Sequence, residues 1–303
     1  MPDVSQSPGG QSPTGARRRT RLNDAETERR MLDAALSLMG ERGMSVSLEH
    51  LSLEEVIRAA GVSRTSAYRR WPYKDLFLSD LLLELARGND LGEVSLPMAD
   101  AVSALLAGRS AELHTQAGRR DFGVELLRTA SQSDLERISA SAHFRTYIAL
   151  RATFLGLPDG ELRGEIGAAL TETEHRFTMS RAQIFAETAG LLGYRLAPPL
   201  TGPGGFELVA RAVGATMTGM VVASLADPDL VTATRTLRAF GATRSAEWST
   251  PAFVLTGIVV AHLEPDPEVH WDDFRVQHLG AVLRGRLAAL STSDGDRRRG
   301  RPT

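Results

Sequence analysis

Apolar residues recur along this chain with the period of helices, and Gly and Pro punctuate the pattern. Asn23 followed by Glu26 is a capping-box pattern, and Asp24, Glu26 and Glu28 suit the positive end of the helix they open. The apolar stripe of that helix is Met31, Ala35, Leu38 and Met39, with Gly43 as its stop. Ser52 and Glu55 form a second capping box and open a short helix through Ala60. Gly61, Val62 and Ser63 then make a turn, and a third helix runs from Arg64 to about Arg70, before Pro72. From about residue 73 to 87 the pattern is apolar on nearly every face, through Leu76, Phe77, Leu78, Leu81, Leu82, Leu83 and Leu85. Such a helix must be buried on several sides, which makes it a link between an N-terminal unit and the rest. Further helices are expected at 98–116, 120–130, 134–155 (capped by Ser133 and Glu136), 159–192, 206–225, 251–262 and 272–290. No alternating pattern of strand type and no internal repeat is visible. The expected fold is all-α.

A length of 303 residues, 42% of them hydrophobic, fits about two domains with a real core. The absence of cysteine excludes disulfides, thiolate metal sites and cysteine nucleophiles. Residues 1–15 are rich in Ser, Pro and Gly and contain no apolar stretch of signal-peptide type. The longest near-continuous apolar run, 212–226, includes two Thr and a Ser and falls short of the ~20 residues of a membrane span. A soluble cytoplasmic protein without a membrane partner is expected.

The formal net charge of −2 does not suggest a nucleic-acid binder, but affinity for DNA depends on local cationic surface. Residues 56–74 contain no acid, and they carry Arg58, Arg64, Arg69, Arg70 and Lys74. Two more basic clusters, Arg17, Arg18, Arg19 and Arg21, and Arg297, Arg298, Arg299 and Arg301, lie in tails that read as solvated disorder. A short helix, a Gly turn and a second short helix have a known use, in which the second helix enters the major groove while the first crosses the backbone. The turn needs Gly61 because the chain adopts a left-handed conformation there. Ser63 can cap the second helix.

The run Ala59-Ala60-Gly61-Val62-Ser63-Arg64-Thr65-Ser66-Ala67-Tyr68-Arg69-Arg70-Trp71-Pro72-Tyr73-Lys74-Asp75-Leu76-Phe77 resembles the signature of the TetR family of regulators. The resemblance spans about residues 27–85, and the remainder matches only as a class. It implies a helix-turn-helix DNA-binding domain at 23–87, joined by its fourth helix to a larger helical ligand-binding and dimerisation domain at 88–290. Disordered basic segments flank these at 1–22 and 291–303. It implies that Arg64, Thr65 and Arg69 face the groove, that Tyr68 bonds a phosphate, and that Lys74 clamps another. Ser52, Ser63, Arg70 and Tyr73 complete the expected DNA-binding set, and Trp71 is expected in the core of the head. Lys74 is the sole lysine, every other basic residue being arginine, which suggests that a compact ammonium is needed there. The chain departs from the family pattern at Ile57 (usually small), Ala67 (usually large) and Tyr73 (usually a Ser or Asn cap).

The same resemblance implies a homodimer on an operator in double-stranded DNA and a small-molecule ligand. His143, Tyr147 and Phe177 are the pocket candidates. The helices 206–225 and 272–290 are the dimer candidates, the second through Val276, Leu279, Leu283 and Leu287, with Leu290 continuing the stripe. No cofactor or metal is expected. Glu172-x-x-His175 has half the spacing of a di-iron ligand set, but no second such motif exists. The loop Gly202-Pro203-Gly204-Gly205 lacks the Gly-Lys-Ser/Thr ending of a phosphate loop. Three functions remain open on this reading: a repressor released by a small molecule, a regulator of the same fold without a ligand, and an all-α enzyme with a vestigial DNA-binding head. No convergent catalytic set supports the last.

Overall fold

The computed structural model describes residues 23–41, 51–87, 96–202, 204–283 and 285. The two basic tails, the stop at Gly43, and Leu287 and Leu290 lie outside the described residues.

Helix α1 (Asp24–Glu41) begins as its capping pattern implies: Asn23 Oδ1 accepts from the Glu26 amide at 2.7 Å. The Glu26 carboxylate does not close the box, because it turns outward to Arg29 and Arg30. In α2 (Leu53–Ala60) the Ser52 carbonyl accepts from Glu55 and Val56, yet its hydroxyl makes no capping bond. The second capping box is therefore absent at Ser52. Gly61 ends α2 at φ +64°, and Val62 donates to Ile57 while Gly61 donates to Arg58, which together form a Schellman motif. Val62 and Ile57, the apolar pair that accompanies this motif, are both buried. Helix α3 (Arg64–Arg70) is capped by the Ser63 hydroxyl, which accepts from Ser66 at 3.1 Å.

The head closes over Trp71, which is fully buried. Its ring meets Phe77 edge-on at 5.1 Å, and its Nε1 donates to Asp80 at 2.8 Å. Ile57 and Ala67 are buried in the same cluster. Ala67→Leu alone is expected to overpack the head by ~1–3 kcal/mol, and adding Ile57→Ala should recover much of that loss. Urea melts of the two single mutants and the double mutant test this, and additive losses would show that the two positions do not touch.

Helix α4 (Lys74–Arg87) buries Phe77, Leu81, Leu82, Leu85 and Ala86. Leu76 is about half exposed, so the expectation of apolar burial all round fails on that side. One continuous core joins α1 to α4 with Tyr147 and Leu150 of α7 (Ala142–Gly156) and Ile166 and Leu170 of α8 (Glu161–Leu191).

The larger body also holds α5 (Leu96–Arg109), a 3-10 turn at Ser110–His114, α6 (Gln116–Ala140), α9 (Gly205–Ser224), α10 (Asp229–Thr232), α11 (Thr250–Val260) and α12 (273–283). The break expected near residue 132 does not occur, because the polar run 131–134 rides on a continuous α6. The chain breaks instead at Ser141, whose hydroxyl accepts from Phe144 at 3.1 Å. Four short strands also depart from the sequence reading. β1 (Tyr194–Leu196) pairs antiparallel with β4 (Leu263–Pro265), and β2 (Thr234–Leu237) with β3 (Ala246–Ser249). Runs of three or four residues are too short to display a period of two.

By length and composition α9 is long and apolar enough to cross a membrane, contrary to the expectation from the run 212–226, because it begins at Gly205. In the fold its residues Val209, Val213, Met217 and Val221 pack into the protein's own core. Glu172 and His175 are both exposed on α8, and no cluster of three metal-ligating side chains occurs among the described residues.

Candidate nucleic-acid interface and ligand cavity

Helix α3 presents Arg64, Thr65, Tyr68 and Arg69 to solvent, with Tyr73 and Pro72 exposed just beyond it. The short turn fixed by Gly61 and Ser63 sets the direction of α3, and burial of Ala67 and Trp71 holds its opposite face against the head. Lys74 follows as the first residue of α4 and is partly buried. Ser52 and Ser63 stand at the starts of α2 and α3.

Acidic residues that the sequence separates from α3 gather around its cations. Arg64 pairs with Glu54 at 2.7 Å, and the Tyr68 hydroxyl donates to the same carboxylate at 3.0 Å. That bond, more than burial, raises the Tyr68 phenol above its ordinary pKa. Arg69 pairs with Asp24 of α1. Arg70 reaches Glu28 at 3.3 Å and Asp80 at 3.0 Å, with its guanidinium 5.2 Å from the Trp71 ring centroid. Arg70, exposed like Arg64 and Arg69, thus links α3 to α1 and α4. In the order 56–74 these cations have no acidic neighbour; the fold supplies four.

Glu54 holds two side chains of the exposed face of α3. Glu54→Gln is expected to raise affinity for duplex DNA of any sequence by about two- to fivefold, as an exposed pair no longer has to open. A fluorescence-anisotropy titration checks this. Unchanged or weaker binding would show that Glu54 does not compete with phosphate.

In the larger body a cavity of about 560 Å³ opens between α6, α8 and α11, a size typical of sites for small organic ligands. Its walls are mostly aliphatic and aromatic, including Val124, Leu127, Phe185, Leu192, Val260 and Leu263. Neither Tyr147 nor Phe177 lines it, which corrects the expected pocket; the His143 side chain lies outside what is described. Tyr147 is packed instead in the core between α4, α7 and α8. There its hydroxyl donates to Glu174 at 3.0 Å, and burial is the main cause that drives its pKa far upward. Sequence reasoning missed Arg119, Arg120 and Tyr194 at the cavity, because nothing in the order of residues marks a partly buried arginine that has no acid beside it.

The expected dimer contacts also need correction. Leu279 and Leu283 are buried within the protomer, in a cluster with Leu106, Leu113, Phe122 and Leu192, and Val276 packs against it. Their heptad-like spacing serves an internal core and does not leave them free for a partner.

The head defines a helix-turn-helix DNA-binding protein. Residues 31–81 match the family model described as bacterial regulatory proteins, tetR family. Over those residues the head is similar to this family. No curated protein matches it. Two solved structures of NalD, the secondary repressor of the MexAB-OprM multidrug efflux pump in Pseudomonas aeruginosa, are similar at 23% identity and a TM-score of 0.35. They cover 68% of this chain and 88% and 87% of their own.

Proposed function

We propose that this chain is a homodimeric cytoplasmic repressor that a small molecule releases from its operator. The observation that carries the reading is the double engagement of α8. Near its middle, the Thr173 hydroxyl donates to the Ala86 and Arg87 carbonyls at 2.8 and 3.1 Å, and Arg176 donates to Arg87 at 2.6 Å. These bonds satisfy two of the orphan carbonyls at the end of α4, the helix that also carries Phe77 into the head. From Ser180 onward the same rigid helix forms a wall of the cavity. A ligand with different affinity for two positions of α8 would thus act on the angle of the head.

The homodimer reading rests on α9. Leu208, Ala212, Ala215, Gly219 and Val222 form an exposed stripe on the face opposite its buried one, at alternating steps of four and three. Small residues at that spacing allow a symmetry mate to approach closely. The cavity favours a ligand-controlled repressor over a regulator of this fold without one.

The test is binding of the purified chain to duplexes selected from a random pool, with sedimentation to count protomers. Enrichment of a two-fold symmetric site is expected, and failure to enrich any sequence would remove the reading. On the selected duplex, Lys74→Ala should weaken binding to all sequences and lower the salt slope by about one, whereas Arg69→Ala should reduce discrimination between sequences. An unchanged slope for Lys74→Ala would remove its phosphate role.

A further inference from the structure

The two cations of the cavity stand side by side, while its polar side chains Ser180, Gln183, Glu187 and Thr188 all lie on α8. Arg119 and Arg120, adjacent on the first turns of α6, both line it, next to Tyr194 of β1. Neither arginine forms an ion pair among the described residues, although most other arginines here do. Arg119 stacks on Trp271 at 4.1 Å and gives one terminal nitrogen to the Leu113 and His114 carbonyls at 3.3 and 3.4 Å. Its Nε is buried and has no hydrogen-bond partner. Arg120 is held by one bond, from Nε to the Phe240 carbonyl at 3.0 Å, which leaves its terminal nitrogens directed elsewhere. Burial alone lowers the Arg119 pKa, and no carboxylate offsets it. Burial raises the Tyr194 phenol above its ordinary pKa, and the charges of Arg120 and Arg119 oppose that rise while Asp121 adds to it.

The acids nearby are accounted for. Asp121 turns from the cavity to accept from the Thr243 amide and hydroxyl. Glu187 lines the cavity from α8, accepts from Gln183 at 2.8 Å, and does not register at Arg119. Arg119 and Arg120 are partly buried, and a guanidinium drawn partly out of water without an acid beside it is a ready partner for an arriving anion.

We propose that this cavity binds an amphipathic monocarboxylic acid, with its carboxylate received by Arg119 and Arg120 and its apolar body enclosed between α6, α8 and α11. The inference rests on the ligand-controlled reading of the larger body and names the ligand's chemistry. The guanidinium fork suits a carboxylate in both geometry and charge. Elsewhere on the wall Leu127, Phe185, Val260 and Leu263 offer only apolar contact. An alkyl chain and an aryl group both meet that requirement, and the test separates them.

Calorimetric titration of the full-length chain with dodecanoate, dodecanol, dodecylammonium and 1-naphthoate, all below micelle-forming concentrations, decides the matter. One of the two acids is expected to bind, and the better of them identifies the body as alkyl or aryl. Dodecanoate, if it is the better acid, should bind roughly tenfold tighter than dodecanol, and dodecylammonium should not bind. If 1-naphthoate is the better acid, 1-naphthol takes the place of dodecanol. In Arg119→Gln and Arg120→Gln the preference for acid over alcohol should collapse while binding of the alcohol persists. Gly123→Leu keeps both arginines and places its side chain against Leu192, where an added Cβ already lies 3.3 Å from Cδ1. It should abolish binding of acid and alcohol alike, and it serves if the arginine variants do not fold.

Three results would overturn the proposal: equal or tighter binding of alcohol or ammonium, an acid preference that survives both arginine substitutions, or no binding of either acid. Operator binding measured on the same preparations keeps the two readings apart. A chain that binds DNA but no acid loses only this inference, and one that binds acid but no DNA loses only the repressor.

Discussion

Trp71→Ala is expected to lower the unfolding free energy by about 3–5 kcal/mol, the usual cost of truncating a fully buried large aromatic residue. Trp71 is fully buried, and its loss removes the edge-on contact with Phe77 and the bond to Asp80 together. Against a typical total of about 5–15 kcal/mol, that is a large fraction of the stability of a domain. The loss should not be confined to the head, since Trp71, Phe77 and Leu81 belong to one core with Tyr147, Leu150 and Ile166. Urea unfolding followed by far-ultraviolet circular dichroism should therefore show the α-helical transition of the head and of α7 and α8 shifting together. Trp71→Phe should cost much less, because it keeps an aromatic ring and Asp80 keeps Arg70 at 3.0 Å. A Trp71→Ala variant within 1 kcal/mol of wild type would show that the head tolerates a cavity where its core is drawn tightest.

The head was legible in the sequence because its determinants are local. Asn23 with Glu26, Gly61 at the turn and Ser63 before α3 each act within three or four residues, and all three form the expected backbone geometry. Ser52 shows the limit of such local reading: the pattern is present and the chain enters α2 correctly, but the hydroxyl bond is not made. The acids around α3 were invisible for a different reason. Asp24, Glu28 and Glu54 reach Arg69, Arg70 and Tyr68 across separations of 45, 42 and 14 residues, and no local pattern reports such pairs. In the larger body, periodicity identifies apolar faces without saying what covers them. Leu279 and Leu283 turned inward for that reason, and the dimer candidate that remains is the exposed stripe on α9. The polar run 131–134 was read as a break because Ser and Asp favour caps, but packing of Leu135 and Ile138 keeps α6 continuous through it.

Thr173→Val is expected to raise the concentration of releasing compound needed to free the operator by roughly fivefold or more, with no change in the operator selected. The substitution keeps the shape of the side chain and removes both hydroxyl bonds to the end of α4. Arg176 still holds the Arg87 carbonyl, and Leu82 and Leu85 stay buried, so the fold should survive. On the proposed reading, what is lost is part of the grip by which a shift of α8 at the cavity would reach α4. Coupling free energies between sites are typically ~1–3 kcal/mol, so weakening one of few polar links moves the response several-fold without abolishing it. Truncating Leu85 to Ala should act in the same direction but with a loss of stability of its own, which is why the threonine is the cleaner probe. The measurement is a titration of the protein–operator complex with dodecanoate, or with whichever acid proves to bind, on variants matched by thermal melt. If Thr173→Val binds the acid as wild type does and releases DNA at the same concentration, α8 and α4 are not coupled through this contact. If acid binding itself weakens, then Thr173 acts on the cavity and not on the link, since a purely mechanical role leaves affinity for the acid in the DNA-free protein nearly unchanged.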